Sequence, residues 1–265
     1  MPGKIVIHAG FHKTGTTSVQ RFIKANSQTL WPLTAIAMRP RFPEVLSASR
    51  GYSTWRDPLA LAKFTHRFDA FVRDINLGEN RRLVISAEEL SGHIPGRGDL
   101  ADYSATPHLM EEIVSVFEDI FDDPNLHFHF STRAREPWLK SAYWEHVKSS
   151  RMTLDFAEYE KKYARSSDLD KVVKDIRKAV GPHPVSTLSL EDAADLPLGP
   201  ADPIIDALGI GPKRRALLTP VEAANTSPSS EVIEAFLAFN RSDMTGPEVG
   251  QAKRDYLAAL PEDEA

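Results

Sequence analysis

The stretch that decides the fold of this chain is His8-Ala9-Gly10-Phe11-His12-Lys13-Thr14-Gly15-Thr16-Thr17-Ser18. An apolar run, Ile5-Val6-Ile7, precedes it, and a helical pattern carried by Val19, Phe22 and Ile23 follows it. This succession predicts a strand, a glycine-containing loop and a helix. In such a unit, backbone N–H groups of the loop and the positive end of the helix converge on one small volume. A bound phosphate or sulfate group is stabilised there.

The position of the lysine separates this loop from the Walker A loop. In the pattern G-x-x-x-x-G-K-[ST] the lysine follows the last glycine directly, whereas Lys13 comes two residues before Gly15. The order Lys-Thr-Gly-Thr-Thr after a first strand resembles the 5′-phosphosulfate loop of sulfotransferases that use 3′-phosphoadenosine 5′-phosphosulfate (PAPS). The residues that extend this resemblance into the first helical turn are Thr16, Thr17, Ser18 and Gln20.

The resemblance implies a three-layer α/β fold of the P-loop nucleoside-triphosphatase type, with a mainly parallel β-sheet flanked by helices. It also implies transfer of a sulfuryl group from PAPS to an acceptor hydroxyl by in-line displacement. Lys13 would stabilise charge on the bridging oxygen of the leaving nucleotide. The other residues implied at the 5′-phosphate are Thr14, Gly15, Thr16, Thr17 and Ser18. We expect no metal, because a transferred sulfuryl group carries less charge than a phosphoryl group.

A second segment, Phe128 to Trp144, predicts a strand that gives way to a helix. An arginine at a strand end and a serine one to two helical turns later can hold a phosphate through guanidinium and hydroxyl donors. Arg133 and Ser141 have this relation and resemble the 3′-phosphate element of the same family. The family usually has proline two residues after that arginine, and here Pro137 has this spacing to Arg135. We prefer Arg133 for its spacing to Ser141, and Arg135 remains the alternative.

The predicted strand Arg82 to Ser86 is followed by two carboxylates, Glu88 and Glu89. A carboxylate near Lys13 can take the proton of an attacking acceptor hydroxyl, and many members of the family that act on carbohydrate or peptide acceptors use glutamate in this role. Glu88 is our first choice, because alternation along a strand turns Glu89 the other way.

A hydrophobic strand that ends in an acid is also typical of a Walker B element. Glu88 would then position the magnesium ion of a P-loop small-molecule kinase. A catalytically inactive nucleotide-binding regulatory protein is a further alternative, and nothing in the sequence excludes it.

The histidines near these segments differ in their expected roles. His12 flanks the loop and could act as a catalytic base or a hydrogen-bond donor, since imidazole titrates near neutrality. His8 is expected to be a strand-end residue whose hydrogen bonds are satisfied within the protein. His127 and His129 alternate on one strand without acidic neighbours, which makes a poor metal site. The sequence predicts no metal site.

Composition limits the classes of partner. The 265 residues include 32 basic and 37 acidic side chains, a net charge of −5, which argues against a nucleic-acid-coating surface. The chain has no cysteine, so a disulfide framework or cysteine-based zinc site is impossible. No apolar run approaches the roughly 20 residues that span a bilayer, and a strand close to Met1 leaves little room for a secretory signal. We therefore expect a cytoplasmic protein without a membrane span, acting on a small-molecule or glycan acceptor. Acceptor identity and oligomeric state stay open.

Short apolar runs alternate with longer amphipathic ones, as in a parallel sheet covered by helices, and a single domain over 1–265 is expected. Strands are predicted at 4–8, 82–86, 125–132 and 185–190. Helices are predicted around 16–30, 56–77, 106–121, 137–150, 155–163, 167–180 and 228–240. Loops are predicted at 38–55, 91–106 and 212–230. Two weaker family-like segments are 189–192 and 225–227, and either could be local helix capping.

Overall fold

A computed structural model of the chain describes residues 2–75, 77–98, 100–221 and 228–260. Its core is a sheet of five parallel strands in the order β2-β3-β1-β4-β5. The strands are β1 (Ile5–His8), β2 (Thr34–Met38), β3 (Arg82–Ser86), β4 (Leu126–Thr132) and β5 (Val185–Ser189). The predicted α/β class with a parallel sheet is confirmed, and the four predicted strands lie within one residue of their predicted ends.

Twelve α-helices accompany the sheet in the described part of the chain. They are α1 (Thr16–Ala25), α2 (Ser27–Leu30), α3 (Pro43–Trp55), α4 (Pro58–Asp74), α5 (Thr106–Ile120), α6 (Arg135–Ser149), α7 (Phe156–Tyr163), α8 (Leu169–Ala179), α9 (Asp202–Ala207), α10 (Pro212–Arg215), α11 (Ser230–Arg241) and α12 (Gly246–Ala258). Short 3₁₀ turns link several of them, including Glu88–Ser91 directly after β3.

The segment 31–55 differs most from its prediction. β2 was not predicted, and the loop expected at 38–55 is wrong over most of its length, because α3 covers Pro43–Trp55. Its proline stands at the first helical turn, where a missing N–H costs nothing. Glycine and serine in this helix suggested a loop, yet its Val45, Leu46 and Tyr52 are buried against the core. Tertiary burial outweighs weak local helix propensity here.

Several helices also differ from their predicted bounds. The helix predicted at 16–30 is interrupted at Asn26, and the one at 56–77 begins only after Arg56, which adopts a left-handed φ of 56°. α10 occupies the start of the loop predicted at 212–230. α12 was not predicted at all. The family-like segment 225–227 lies outside the described residues.

Alternating strand residues face two separate apolar layers, which makes the fold a three-layer α/β/α arrangement. On β1, Ile5 and Ile7 pack into the core formed with α3 to α8 and α11. Val6 points to the opposite face and packs with residues of α1 and α9. Because successive side chains of a strand point to opposite faces, one short apolar strand anchors both helical layers and the loop that follows it.

The C-terminal helix stabilises the helix that carries part of the site. The buried ammonium of Lys253 on α12 donates to the carbonyl oxygens of Val147 and Ser150 at 2.6 and 2.9 Å. These carbonyls belong to the last turn of α6 and the residue after it, where acceptors lack intrahelical partners and a positive charge is favoured. Lys253 thereby fixes α6 against α12.

The order of the strands defines where a ligand can bind. From β1 the chain crosses to β2 on one side of the sheet, whereas from β3 it crosses over β1 to β4 on the other side. In such a sheet, the crevice lies beyond the carboxyl ends of the strands at the point where the connections diverge. That point lies between β1 and β4, so the loop after His8 and the residues after Thr132 share one crevice.

Within the described residues, no helix has both the length and the apolar character needed to cross a membrane.

Buried histidines lie in the sheet beneath the crevice. His8 Nδ1 is 2.8 Å from Ser86 Oγ, which satisfies the strand-end histidine within the protein as expected. His129 Nδ1 and His127 Nε2 both lie within 2.9 Å of Ser186 Oγ. Burial lowers the pKa of His8 well below its usual value, and burial together with His127 lowers the pKa of His129 from 6.5 to about 4. The folded protein therefore holds these imidazoles neutral.

We expect acid to destabilise the fold through these histidines. In the unfolded chain an imidazole takes up a proton below about pH 6.5, while the folded chain resists protonation of His129 down to about pH 4. The stability contributed by the neutral ring is thus complete above pH 6.5 and is lost as the pH falls toward 4. The loss from His129 alone is about 2.5 kcal/mol at pH 4.5. Urea denaturation between pH 7.5 and 4.5 measures it.

Two matched variants test whether His129 contributes to this dependence of stability on pH. His129→Gln removes one titrating ring and should make the dependence of the unfolding free energy on pH less steep, while His8 keeps its own contribution. His66→Gln, which changes an exposed histidine on α4, should leave it unchanged. An unaltered pH dependence in His129→Gln would contradict the assignment.

Candidate active site

The loop between β1 and α1 has the geometry of an anion-binding loop. Lys13 and Gly15 both adopt positive φ, 66° and 93°. Within the described part of the chain, no acceptor receives a hydrogen bond from the backbone N–H groups of Lys13, Thr14, Gly15, Thr16 and Thr17. Five consecutive donors at a helix N-terminus, next to a lysine, form a concentrated positive region. The loop can bind an anion through its backbone alone.

The threonines of the loop divide into two roles. Thr14 and Thr16 are buried, and their hydroxyl groups donate to the carbonyl oxygen of Phe11 at 2.6 and 3.3 Å. These hydroxyls close the loop, so Thr14 and Thr16 offer a ligand their backbone N–H groups. The side chains of Thr17 and Ser18 line the cleft and make no hydrogen bond to any described residue. The sequence predicts hydroxyl contacts to the 5′-phosphate from Thr16, Thr17 and Ser18, whereas the structure has the hydroxyl of Thr16 bound to Phe11.

Neighbouring elements hold the loop in this shape. Trp138 Nε1 donates to the carbonyl oxygen of His12 at 2.9 Å, and Arg133 Nη1 donates to that of Lys13 at 3.2 Å. From the other side, Ser91 Oγ donates to the carbonyl oxygen of Ala9. Trp138 is fully buried. The end of β4 and the start of α6 therefore position the loop after β1.

An ion pair engages the lysine of the loop. Lys13 Nζ lies 3.2 Å from Glu145 Oε2 on α6. Burial alone would raise the pKa of Glu145, but the adjacent Lys13 ammonium and its hydrogen bond lower it overall. Glu145 was not predicted as a site residue. Its spacing of four residues from Ser141, which places both on one helix face, was the available signal.

The candidate 3′-phosphate residues lie in the same cleft. Arg133, directly after β4, and Ser141, on α6, line the cleft together with Lys13. Arg133 Nε is buried without a hydrogen bond to any described residue, and Glu191 Oε1 is 3.8 Å away. Burial lowers the pKa of Arg133 despite this carboxylate. Arg135 is exposed and borders a smaller adjacent cleft instead.

Both carboxylates after β3 line the cleft, so the expectation that alternation turns Glu89 away is wrong. The strand ends at Ser86, and the chain turns into a 3₁₀ helix that begins at Glu88. Glu88 accepts a hydrogen bond from Gln20 Nε2 at 3.1 Å and lies 3.7 Å from Arg39. Glu89 pairs with Arg39 at 2.6 Å, and its pKa is raised by burial and by Glu88.

His12 faces the cleft as a neutral ring. Burial, with the nearby His93, Arg39 and Lys13, lowers its pKa to about 3. The hydroxyl oxygen of the buried Tyr103 accepts a hydrogen bond from the His12 backbone N–H at 3.2 Å and lies 3.1 Å from His12 Nδ1. The Tyr103 hydroxyl can make both hydrogen bonds if it accepts from the His12 N–H and donates its own proton to Nδ1. The proton of the ring then lies on Nε2, which makes His12 a hydrogen-bond donor toward the cleft.

The cleft encloses about 2330 Å³ and extends well beyond the predicted residues. Parts of its wall come from the segment after β5 (190–200), from α11 and from the loop 93–97. Of the two weaker family-like segments, 189–192 shows local capping, since Asp192 N donates to Ser189 Oγ at 3.0 Å. Among the described residues, no three His, Asp or Glu side chains group as a metal site.

Comparisons with known proteins find a likeness among solved structures. No family model matches the chain, and no curated protein matches it. Among solved structures, the chain is similar to a sulfotransferase from Alicyclobacillus acidocaldarius, with 16% identity over 99% of this chain and 98% of that one. The TM-score of 0.48 makes this a distant likeness, which carries no conclusion about activity.

We expect Gly15→Ala to destabilise the protein by about 2 to 3 kcal/mol. An alanine at a φ of 93° is strained by about 1 to 2 kcal/mol, and its Cβ would lie 2.8 Å from Leu190 Cδ1. Gly181→Ala is the matched control, because Gly181 has a φ of 61° but open space around its position. Gly181→Ala should lower the free energy of unfolding by only about 1 kcal/mol. Urea denaturation of both variants measures the difference.

The Leu190 contact is tested by a double-mutant cycle. Leu190→Ala should be less destabilising in the Gly15→Ala background than in the wild type, since it removes the clash. Equal costs of Gly15→Ala and Gly181→Ala, or additive effects with Leu190→Ala, would show that the close approach is absent.

Proposed function

We propose that this chain is a PAPS-dependent sulfotransferase, with one catalytic domain spanning 1–265, that transfers a sulfuryl group to the hydroxyl of a small-molecule or glycan acceptor. The observation that carries the proposal is the sharing of one cleft by two anion-binding groups. The loop with Lys13 lies after β1, and Arg133 with Ser141 lies after β4. A donor with a 5′-phosphosulfate and a separate 3′-phosphate requires two such groups.

The donor would be held from both sides of the crevice. The free backbone N–H groups of the loop, with the hydroxyls of Thr17 and Ser18, hold the 5′-phosphate. Arg133 and Ser141 hold the 3′-phosphate through charge-assisted and hydroxyl hydrogen bonds. Lys13 moves from Glu145 toward the bridging oxygen as negative charge develops on it, which stabilises the transition state more than the ground state.

The acceptor would be activated from the β3 side of the cleft. Glu88 takes the proton of the attacking hydroxyl, while the amide of Gln20 holds one carboxylate oxygen in place. Glu89 is more deeply buried and shares Arg39 with Glu88, so it is the second candidate for the base. His12, as an Nε2–H donor, would hydrogen-bond a sulfuryl oxygen rather than remove a proton.

The magnesium-dependent kinase and the inactive regulatory protein remain the competing functions. The position of Lys13 before Gly15 departs from the kinase loop pattern. The regulatory function would be favoured by nucleotide binding in a protein whose Glu88 is dispensable.

We expect 3′-phosphoadenosine 5′-phosphate to bind with micromolar affinity and magnesium-ATP to bind much more weakly. Isothermal titration calorimetry measures both. Lys13→Ala and Arg133→Ala should each weaken binding of the bisphosphate at least about ten-fold, because each removes a charge-assisted contact to an anionic group.

Arg135→Ala is the matched control, since Arg135 is exposed outside the main cleft; its affinity should change less than about two-fold. Preference for magnesium-ATP would favour the kinase. A folded protein that binds neither nucleotide would refute the assignment of the site.

Glu88→Gln should lower kcat by about 10²-fold or more, because a positioned general base contributes 10² to 10⁴. Its affinity for the bisphosphate should stay within about two-fold of the wild type. Turnover is measured with radiolabelled PAPS and the best acceptor of a panel of phenols, sugars and sugar acids.

Glu89→Gln is the comparison variant and should retain more turnover than Glu88→Gln. Full turnover in a folded Glu88→Gln protein, with loss in Glu89→Gln, would transfer the role to Glu89.

A further inference from the structure

The loop 92–97 forms a wall of the cleft between α3 and α6. The His93 N–H donates to Ser53 Oγ on α3 at 2.8 Å, and His146 Nε2 on α6 donates to the carbonyl oxygen of Pro95 at 2.7 Å. The fit is close, since a Cβ on Gly96 would lie 2.5 Å from His146 Nε2. The loop is thereby fixed to both helices, with His93 and Arg97 lining the cleft.

Arg50, on α3, faces this wall with most of its hydrogen-bonding capacity unused. Its side chain is 34% exposed and lines the cleft. Its one contact with a carboxylate among the described residues is Nη1 to Glu89 Oε1 at 3.5 Å. That oxygen already binds Arg39 at 2.6 Å. The guanidinium of Arg50 can therefore bind a further anion without losing a strong partner.

Arg97 lies at the C-terminal end of the loop 92–97, and its side chain contacts neutral groups. Its Nη2 donates to Ser149 Oγ at 2.6 Å, and its Nη1 lies 3.4 Å from the Ser149 carbonyl oxygen. These contacts with α6 orient the guanidinium. They do not neutralise its charge.

His93 lies near both arginines and lines the same cleft. Burial, then Arg97 and Arg50, lowers its pKa to about 4, so the ring is neutral at physiological pH. The Ile94 N–H donates to His93 Nδ1 at 3.2 Å, which places the ring proton on Nε2. His93 therefore offers a neutral donor near two positive charges. We call Arg50, His93 and Arg97 the arginine pocket.

Among the described residues, the carboxylates near the arginine pocket make their shorter contacts with other cations, although Glu89 also lies 3.5 Å from Arg50. Glu88 and Glu89 lie beside Arg39, and Glu145 pairs with Lys13. The proposed donor contacts are Lys13 with its loop, and Arg133 with Ser141. None of these uses the arginine pocket, which lies in the same cleft on the side of the proposed base.

We propose that the acceptor carries an anionic group, a carboxylate or a sulfate or phosphate ester, which the arginine pocket binds while the acceptor hydroxyl faces Glu88. This inference rests on the proposed sulfotransferase function and specifies its substrate class. Two guanidinium groups and an imidazole N–H provide the fork-like donors that such oxyanions accept. The anion also orients the acceptor, which lowers the entropic part of the barrier.

Matched acceptor pairs test the proposal. Glucose with glucuronate, galactose with galacturonate, and 4-hydroxyphenylethanol with 4-hydroxyphenylacetate differ in an anionic group and share a hydroxyl acceptor. Binding is measured by saturation-transfer NMR and calorimetry, on the protein alone and on its complex with 3′-phosphoadenosine 5′-phosphate. KM and kcat are measured with radiolabelled PAPS.

We expect the anionic member of at least one pair to bind at least about ten-fold more tightly. Arg50→Gln and Arg97→Gln should remove this preference, raise KM for the anionic acceptor about ten-fold or more, and leave the affinity for the bisphosphate within about two-fold. Arg50→Lys should restore part of the preference. Arg254→Gln, an exposed arginine on α12, is the control and should behave as the wild type.

The outcomes separate this proposal from the proposed function. If no anionic member binds more tightly than its neutral partner, or if folded Arg50→Gln and Arg97→Gln proteins keep the preference, the arginine pocket does not select the acceptor. If these variants instead lose the bisphosphate, the pocket belongs to the donor and the proposal is overturned. Failure of the wild type to bind the bisphosphate refutes the proposed function. The preference for anionic acceptors is measured independently of this, on the protein without bisphosphate.

Discussion

The hydrogen bonds that α6 and its preceding residues make to the loop after β1 are the constraint on which the site depends. Trp138 Nε1 binds the His12 carbonyl oxygen, and Arg133 binds that of Lys13. With two carbonyl groups taken up in this way and the hydroxyls of Thr14 and Thr16 bound to Phe11, the loop turns back on itself. Its N–H groups are left for a ligand. The same arginine is then both a structural partner of the loop and a candidate contact for a second phosphate.

The ion pairs in the cleft involve the residues that we propose for function. Lys13 binds Glu145, and Arg39 lies beside Glu88 and Glu89. Removing one member of such a partly buried pair leaves the other poorly compensated, so these residues restrain one another before any ligand binds. An incoming anion at the loop would compete with Glu145 for Lys13. Ligand charge and the position of α6 are thereby coupled.

Several elements were predictable because their local signals agree with their tertiary surroundings. The strands β1, β3 and β4 are short, largely apolar runs, and their burial in a parallel sheet favours that pattern. β5 is a partly exposed edge strand that still contains Val185, Thr187 and Leu188. β2 and α3 carry weaker signals. β2 consists of Thr34-Ala35-Ile36-Ala37-Met38, with two alanines, and α3 contains serines and a glycine. Their secondary structure comes from packing at the edge of the sheet, which a local pattern does not encode.

By itself, the sequence determined the parallel α/β class, the position of the candidate anion-binding loop and the residue types brought to it, since these follow from periodicity, glycine placement and charge. The tertiary structure alone decided which hydroxyls close the loop, that Glu145 engages Lys13, that Glu89 shares the cleft with Glu88, and that Arg50, His93 and Arg97 line one cleft. The hydroxyl contacts are local but depend on the folded shape of the loop. Lys13 and Glu145 are 132 positions apart, and the place of Glu89 depends on where β3 ends. Only the packing of α3 and α6 around the carboxyl edge of the sheet determines them.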